Sequence, residues 1–534
     1  MVSSSLIDAL VSPSQALKDL FARTVADRKI HDFPIIVRDH FASLFSGDAL
    51  DQVPILDVLH PPNSYAPMSL VRFTAMVQDT SCSPEMYLSC LKDAICGGWG
   101  LDSLVELPEN FNLRSDSNIL KERDVIWAVT IPGQGHWCEQ SRAGNAVGTI
   151  ASSSASSVAS TSTQNYKSHK YPIPDSAHIA VLLKVYDNSV ESLKPASSHE
   201  FVGVLTSECP HSEFGTDESV PTLHVLFHRA LPKTIVPVRT NVTEGQIASI
   251  VRDDLISWTA SEALGGDRDA AEWILLSCLS SVESRNPPLF PMSITLSGFP
   301  RPSYANIPSI SFALSEMLPL HFPLPLTLEL LNERSFLPES KDEDLHAGIL
   351  QVPIDTTITI TESGMTEGCL EEKGLENIRA IHEVVKAQTL QYKFPFSQYS
   401  FPTDIKFITI TDGKKSLFVD SGVTVPLQFE GASDLYKGKD TMKWPSPQSL
   451  SAFREFIVRA KTTKATMMEE GLSEHIQNEF VRERQEKAPI TPDDLARRMT
   501  LARLITMSRL ENLITLDSWK AAKALDERRL SRVS

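Results

Sequence analysis

Hydrophobic positions recur at helical spacing in the first 45 residues of the chain. In "QALKDLFARTVA", which follows Ser14, Leu17, Leu20, Phe21 and Val25 fall on one face of a helix, and Ser14 is a candidate N-cap. A second amphipathic run follows at "IIVRDHFASLF". We therefore predict a helical segment over residues 1–58.

The pattern changes from helical to alternating after Met68. Strands alternate apolar and polar side chains because successive residues point to opposite faces of a sheet. The runs that follow this pattern are "MSLVRFTAMVQDT", "DVIWAVTIPG", "HIAVLLKVYD", "EFVGVLTS" and "TLHVLFHRAL". They predict a small β-barrel of the OB type over residues 59–235.

A Ser/Thr/Ala-rich tract interrupts these strands at residues 141–168. It carries few large apolar side chains, so it cannot bury enough surface to offset the entropy cost of ordering. We predict a disordered insertion in a surface loop of the barrel.

Helical and strand patterns alternate over residues 236–445, which is typical of a layered α/β domain. "DRDAAEWILLSCLSSV", "IPSISFALSEML" with Pro308 in its first turn, and "LENIRAIHEVVKAQ" are predicted helices. The predicted strands are "SITLSG", "PLTLEL", "AGILQV", "TTITIT" and "DIKFITIT".

The remaining residues, 446–534, read as a C-terminal helical lid. Thr491 is a candidate N-cap followed by Pro492, which opens "ITPDDLARRMTLARLITMSRL". The predicted fold class is thus α/β and multi-domain, with an α/β core between a β-barrel and a helical lid.

Composition and charge narrow the class of partner. The chain has 534 residues, of which 42% are hydrophobic and 22% charged, and no apolar run long enough to span a membrane. Asp8 and Asp19 interrupt the first apolar stretch, so we expect no secretory signal and an intracellular protein. A formal charge of −17 repels phosphate backbones and anionic lipid. We therefore expect protein partners, no membrane, and weak or absent direct DNA binding.

The segment "SITLSGFPRPSYAN" has the strand, glycine and following helix of a phosphate-binding loop. Such a loop needs a lysine for the β- and γ-phosphates and a hydroxyl for magnesium, spaced as G-x-x-x-x-G-K-[ST]. Counting from Gly298, the lysine position holds Tyr304 and the hydroxyl position Ala305, and Arg301 is the nearby cation. Pro300 and Pro302 also remove backbone N–H donors. We predict a degenerate loop that binds no cofactor.

A matching second motif would be an apolar strand that ends in two acids, one for the metal and one for the attacking water. The strand "TTITITES" offers Thr361 and Glu362 there, and an exposed glutamate at a strand end is an ordinary residue. "TDGKKSLF", at 411–418, lacks the first glycine of a phosphate loop and reads as a charged turn. We therefore predict no catalytic residue.

Cysteine and aromatic positions add no metal or nucleic-acid site. The spacing of Cys82, Cys90 and Cys96, and of "HWC" at His136 to Cys138, does not match a zinc site, so we predict no bound metal. An OB barrel would stack bases on exposed aromatics. The aromatic residues of the predicted strands occupy core-facing positions: Phe73, Trp127, Tyr186 and Phe201.

Several longer stretches resemble the mini-chromosome maintenance complex-binding protein family. These are "LVRFTAMVQDTSCSPEMY", "LLKVYD" with "FVGVL", "SITLSGFP", "GILQVPIDTTITITES", "YKFPFSQYSFPTDIKFITITDGKKSL" and "ITPDDLARRMTLARLITMS". The resemblance implies association with the mini-chromosome maintenance helicase subunits and a nuclear role. It also implies support of their assembly, stability or unloading from chromatin in replication and sister-chromatid cohesion.

The segments "GDRDAAEWILLSCLS", "SGFP", "ITITES" and "AIHEVVKAQTLQY" resemble, in the same order, the ATPase domain of the helicase subunits themselves. This resemblance implies a degenerate AAA+-like domain that presents a subunit interface without hydrolysing ATP. Two alternatives stay open: a divergent AAA+ ATPase that uses Arg301 and Glu362, and a barrel that binds single-stranded nucleic acid.

Overall fold

The computed structural model describes residues 4–90, 98–101, 119–138, 167–208, 219–238, 245–302, 307–429, 434–485 and 490–533. Within these ranges the chain is a mixed α/β protein with several sheets, as predicted. Most of the Ser/Thr/Ala-rich insertion, residues 141–166, lies outside the described residues.

Three helices lie at the start of the chain and pack against the first sheet. Their apolar faces share one core with the sheet residues Tyr87, Tyr186 and Phe227. Ser12, rather than the predicted Ser14, occupies the N-cap of the second helix. The helices are α1 (Ser4–Val11), α2 (Pro13–Ala26) and α3 (Phe33–Leu44).

All five strands predicted for the β region are present, and they close into a barrel. Neighbouring strands pair in the circular order β2-β6-β7-β5-β4-β2; the β5–β7 pair is parallel and the other four are antiparallel. Two further strands, β1 and β3, extend the sheet beside β2 and β4. The strands are β1 (Ile55–Leu56), β2 (Leu70–Asp79), β3 (Glu85–Cys90), β4 (Ile119–Thr130), β5 (Ala180–Val185), β6 (Ser198–Glu208) and β7 (Val220–Ala230).

Branched and aromatic side chains fill the barrel. Val71, Phe73 and Phe201 are fully buried there. Gly203 lies at an irregularity of the β6–β7 pair, where an added Cβ would come within 2.4 Å of the His224 carbonyl oxygen. Only glycine allows the two strands to approach so closely at this point.

A parallel sheet of five strands forms the centre of the C-terminal half, in the order β11-β14-β17-β10-β18. Parallel sheets are usually covered on both faces, which gives strands of continuous burial. Every residue of β14 and β17 is buried accordingly. The elements are α4 (Gly245–Ala263), α5 (Arg268–Leu279), β8 (Ser284–Arg285), β9 (Pro288–Leu289), β10 (Ile294–Ser297), α6 (Ser309–Met317), β11 (His321–Pro325), α7 (Leu328–Glu333), β12 (Glu339–Lys341), β13 (Asp344–His346), β14 (Thr356–Thr361), α8 (Glu372–Ala387), β15 (Thr389–Phe394), β16 (Ser397–Pro402), β17 (Ile405–Ile410) and β18 (Thr424–Pro426).

Two predicted strands of this half are wrong. "PLTLEL" contains helix α7, because the Thr327 hydroxyl accepts a hydrogen bond from the Leu330 amide and caps the helix. "AGILQV" is a buried turn between β13 and β14. A hairpin that was not predicted, β15–β16, joins β12 and β13 in a separate four-stranded sheet. Pro308 precedes α6 as its N-cap, whereas the prediction put it in the first turn.

The C-terminal region is mostly helical, as predicted. Thr491 and Asp494 form a capping box, with Pro492 as the first helical residue. None of the helices within the described ranges is both long and apolar enough to cross a membrane. The elements are α9 (Pro447–Thr462), β19 (Met467–Met468), α10 (Leu472–Gln485), α11 (Pro492–Ser508), β20 (Leu513–Ile514) and α12 (Leu516–Val533).

Candidate functional site

The carboxyl edge of the parallel sheet brings the two predicted motifs to one side of the molecule. Gly298 follows β10, and Glu362 follows β14. The strand between them, β17, leads into a loop that passes β10 to reach β18 on its other side. The chain leaves the neighbouring strand β10 in the opposite direction, toward β11 at the far edge. In open α/β sheets, the point where two neighbouring strands connect in opposite directions forms the crevice in which ligands bind.

The backbone donors at the glycine loop are already engaged within the chain. The Gly298 amide donates to the Gly413 carbonyl at 3.1 Å, and the Phe299 amide to the Thr411 carbonyl at 3.0 Å. Gly298 has a φ of +72°, the left-handed conformation that favours glycine. The two amides occupy positions that would bind a phosphate in a phosphate-binding loop. Here they instead form hydrogen bonds to the segment that follows β17.

Pro300 and Arg301 continue this loop. The Tyr436 hydroxyl donates to the Pro300 carbonyl at 2.7 Å, and burial raises the pKa of Tyr436 to about 12, so the phenol keeps its proton. Arg301 is 79% exposed and pairs with Asp412. Tyr304 and Ala305 lie outside the described residues.

Glu362 is 3% exposed, so the prediction of an exposed residue is wrong. Its Oε1 accepts hydrogen bonds from the Ser416 hydroxyl at 2.5 Å and from the amides of Leu417 and Phe418 at 3.0 and 3.2 Å. Thr361, beside it, is the last residue of β14 and is also buried. The Glu362 carboxylate therefore holds the turn at Ser416 to Phe418.

We call Thr411–Phe418 the crevice loop. The prediction of a turn here is confirmed, because these residues contain neither helix nor strand. The loop bonds to the glycine segment at Gly298 on one side and to Glu362 on the other. The sequence did not predict this link, because motif spacing describes the residues within one loop. It says nothing about hydrogen bonds between that loop and segments far away in the chain.

The predicted aromatic and cysteine positions offer little to a ligand. The barrel aromatics are at most 6% exposed, which confirms their core-facing assignment: Phe73, Trp127, Tyr186 and Phe201. Burial raises the pKa of the Cys82 thiol to about 12, which disfavours the thiolate that binds metals. The Cys90 side chain and Cys96 lie outside the described residues, Cys138 is buried, and His136 is exposed.

A cluster that sequence reasoning missed joins three side chains from distant segments: His169, Asp344 and His346. The only local signal is the spacing Asp-x-His in β13, which places both side chains on one face of a strand.

The family profile and the most similar relatives identify the same family. The sequence profile of the mini-chromosome maintenance replisome factors matches residues 41–159 and 141–533. Mini-chromosome maintenance complex-binding protein of Arabidopsis thaliana is 26% identical, with 93% of each chain aligned. The proteins of that name from Salmo salar and Gallus gallus are 24% and 23% identical, with 91% and 98% of each chain aligned. The chain therefore belongs to the mini-chromosome maintenance replisome factor family.

Proposed function

We propose that this chain is a non-catalytic binding partner of the mini-chromosome maintenance helicase subunits. It acts in the nucleus and supports their assembly, stability or unloading from chromatin during DNA replication and sister-chromatid cohesion. The observation that carries the proposal is the alignment of nearly the whole chain with proteins named for binding that complex. The net charge of −17 fits a protein partner better than DNA.

The proposal includes two domain assignments. A closed barrel of five strands supports an OB-like domain over residues 59–235. The parallel sheet with Gly298 and Glu362 at one edge supports a degenerate AAA+-like domain over residues 236–445, followed by the helical lid at 446–534. A domain of this kind can dock against helicase subunits as one of them would.

The state of the crevice supports a non-catalytic role. A nucleotide would have to displace the crevice loop from both Gly298 and Glu362, and a buried glutamate that accepts hydrogen bonds from Leu417 and Phe418 is not directed at a water molecule. Arg301, the residue that a divergent ATPase would use, is engaged with Asp412.

We expect the full-length chain neither to bind a fluorescent ATP analogue nor to hydrolyse ATP at submillimolar concentrations. Fluorescence titration and a phosphate-release assay measure the two properties. Saturable binding that ATP competes away, together with turnover that the substitution Arg301→Ala abolishes, would establish the divergent ATPase instead.

The β15–β16 hairpin offers a specific contact for the helicase subunits. Phe394 pairs with Ser397, so Pro395 and Phe396 form the turn, and the Phe396 side chain is fully exposed. Tyr399 on the same hairpin is 56% exposed. Exposed aromatic side chains of this kind often act as anchors in protein interfaces.

We expect Phe396→Ser to weaken binding of the helicase subunits about tenfold or more, as loss of an aromatic anchor does. The measurement is affinity purification of the tagged chain from nuclear extract, with mass spectrometry of the recovered subunits. Leu59→Ser is the matched control, because Leu59 is 76% exposed in the segment that precedes β2. Equal recovery with both variants would exclude the hairpin as the contact, and absence of helicase subunits from the unmodified chain would refute the proposed function.

A further inference from the structure

Two segments far apart in the chain meet beside the barrel. One is the short 3-10 helix Ser168–Lys170, which precedes β5, and the other is the strand β13. The Ala347 amide donates to the His169 carbonyl at 2.7 Å, which fixes the helix against the end of β13. This contact joins the barrel side of the molecule to the four-stranded sheet.

Three candidate metal ligands meet at this contact. His169 Nε2 lies 2.7 Å from Asp344 Oδ2, and the rings of His169 and His346 are 4.3 Å apart between centroids. One ligand atom from each of the three residues lies within 4.8 Å of the other two. All three side chains are half-buried, so an ion can reach them from solvent.

The charges around the cluster favour a cation. Lys170 is fully buried and contacts both Asp79, at 2.8 Å, and Asp344. Two carboxylates therefore surround the ammonium group of Lys170. The charge of Lys341 also acts on His346, but Lys341 is paired with Glu339, so one negative charge remains in excess. Lys170 binds the Oδ1 atom of Asp344 and leaves Oδ2 directed at His169.

We propose that His169, Asp344 and His346 bind a divalent transition-metal ion of the zinc class. Imidazole nitrogen with carboxylate oxygen suits Zn²⁺, whereas Mg²⁺ and Ca²⁺ prefer oxygen ligands alone. Three protein ligands leave a fourth position for water, and the half-buried location supplies it. Formation of the site requires the His169–Asp344 hydrogen bond to give way to two bonds to the ion.

A bound ion would cross-link the barrel side to the four-stranded sheet, because its ligands come from segments 175 residues apart. Since the ligands converge only in the folded chain, the ion stabilises the folded state by mass action. The ion would bind in this way whichever protein partner the chain has.

The test is a titration of the metal-free full-length chain with Zn²⁺ by calorimetry, and with Co²⁺ by visible absorption. We expect one equivalent to bind and the thermal unfolding midpoint to rise with Zn²⁺. His169→Gln and His346→Gln should each weaken binding at least about tenfold and abolish the rise. His60→Gln is the matched control, because His60 Nδ1 lies 2.9 Å from Asp57 Oδ1 and no third possible ligand joins this pair within the described residues.

Binding with unchanged affinity in either variant would overturn the proposal, as would Zn²⁺ binding that survives both substitutions but is lost in Cys369→Ser, because Cys369 is an exposed thiol. Failure of the unmodified chain to bind either ion would also overturn it. Circular dichroism checks that each variant is folded. If His346→Gln does not fold, His169→Gln carries the test, because His169 is half-buried in a short 3-10 helix and not in a strand.

Discussion

Replacing Asp355 by alanine is expected to lower the free energy of unfolding of the α/β region by about 3–5 kcal/mol, as removal of one partner from a buried ion pair does. Asp355 Oδ1 lies 2.5 Å from Lys406 Nζ, and Oδ2 lies 2.9 Å from Lys461 Nζ. All three side chains are less than 10% exposed. The substitution leaves two buried ammonium groups without their shared counter-ion.

Asp404 also attracts Lys406, so it offsets part of the loss, although burial raises the pKa of Asp404. Lys461→Met is the informative comparison, because Asp355 then keeps its ion pair with Lys406. The loss in free energy of unfolding should be clearly smaller than for Asp355→Ala. The exposed pair Arg268–Asp253 is the matched control, and Asp253→Ala should cost less than about 1 kcal/mol. Urea unfolding followed by tryptophan fluorescence measures all three.

The difference in free energy of unfolding between the unmodified chain and the Asp355→Ala variant should depend on pH. Burial raises the pKa of Asp355, but attraction by Lys406 and Lys461 together outweighs burial and holds it below its ordinary value of 3.8. A carboxyl group whose pKa is lower in the folded state than in the unfolded state stabilises the fold at every pH above its pKa in the unfolded state. This stabilisation is lost as the pH falls through the pKa of the folded state. The difference should therefore be complete at neutral pH and shrink below about pH 3.8. A difference that is independent of pH would contradict the ion-pair explanation.

Glu362→Ala is expected to cost about 2–3 kcal/mol, because hydrogen bonds to a charged acceptor contribute roughly 1.5–3 kcal/mol. The amides of Leu417 and Phe418 and the hydroxyl of Ser416 lose their common acceptor. We expect faster hydrogen exchange throughout the crevice loop, with little change in the barrel. Mass spectrometry of exchanged peptides measures both regions.

Two control substitutions test whether the effect comes from loss of the Glu362 carboxylate or from any change in the crevice loop. Glu362→Gln keeps one acceptor oxygen and should lose less stability than Glu362→Ala. Asp412→Asn removes the exposed pair with Arg301 on the same loop and should have an effect below about 1 kcal/mol. Unchanged exchange of the crevice loop in Glu362→Ala would show that Glu362 does not hold it.

Sequence patterns predicted the elements whose burial is regular. The strands β2 and β14 and the helix α11, with its Thr491 cap, all lie where the patterns placed them. The patterns failed where an apolar run was short. "PLTLEL" alternates like a strand, but the hydroxyl of Thr327 caps a helix there, so a local hydrogen bond decided the outcome.

The candidate site was predictable only in part. The missing lysine and acid were evident from positions 304 and 361, because a phosphate loop has fixed spacing. The burial of Glu362 could not be predicted from the sequence, because it depends on residues Ser416 to Phe418 returning to the same edge of the sheet. The cluster of His169, Asp344 and His346 was hidden for the same reason, since it forms only when two distant segments meet.

The closure of the barrel has a consequence for how the chain is made on the ribosome. Strand β2 pairs with β6, with Leu70 opposite Val204, so β2 is synthesised long before this partner. At ~5–20 residues per second the interval is about seven to twenty-seven seconds. During that time an apolar strand, which is almost wholly buried in the finished protein, has one edge unpaired. Until β6 emerges, the unpaired edge of β2 is therefore a place where newly made chains can aggregate.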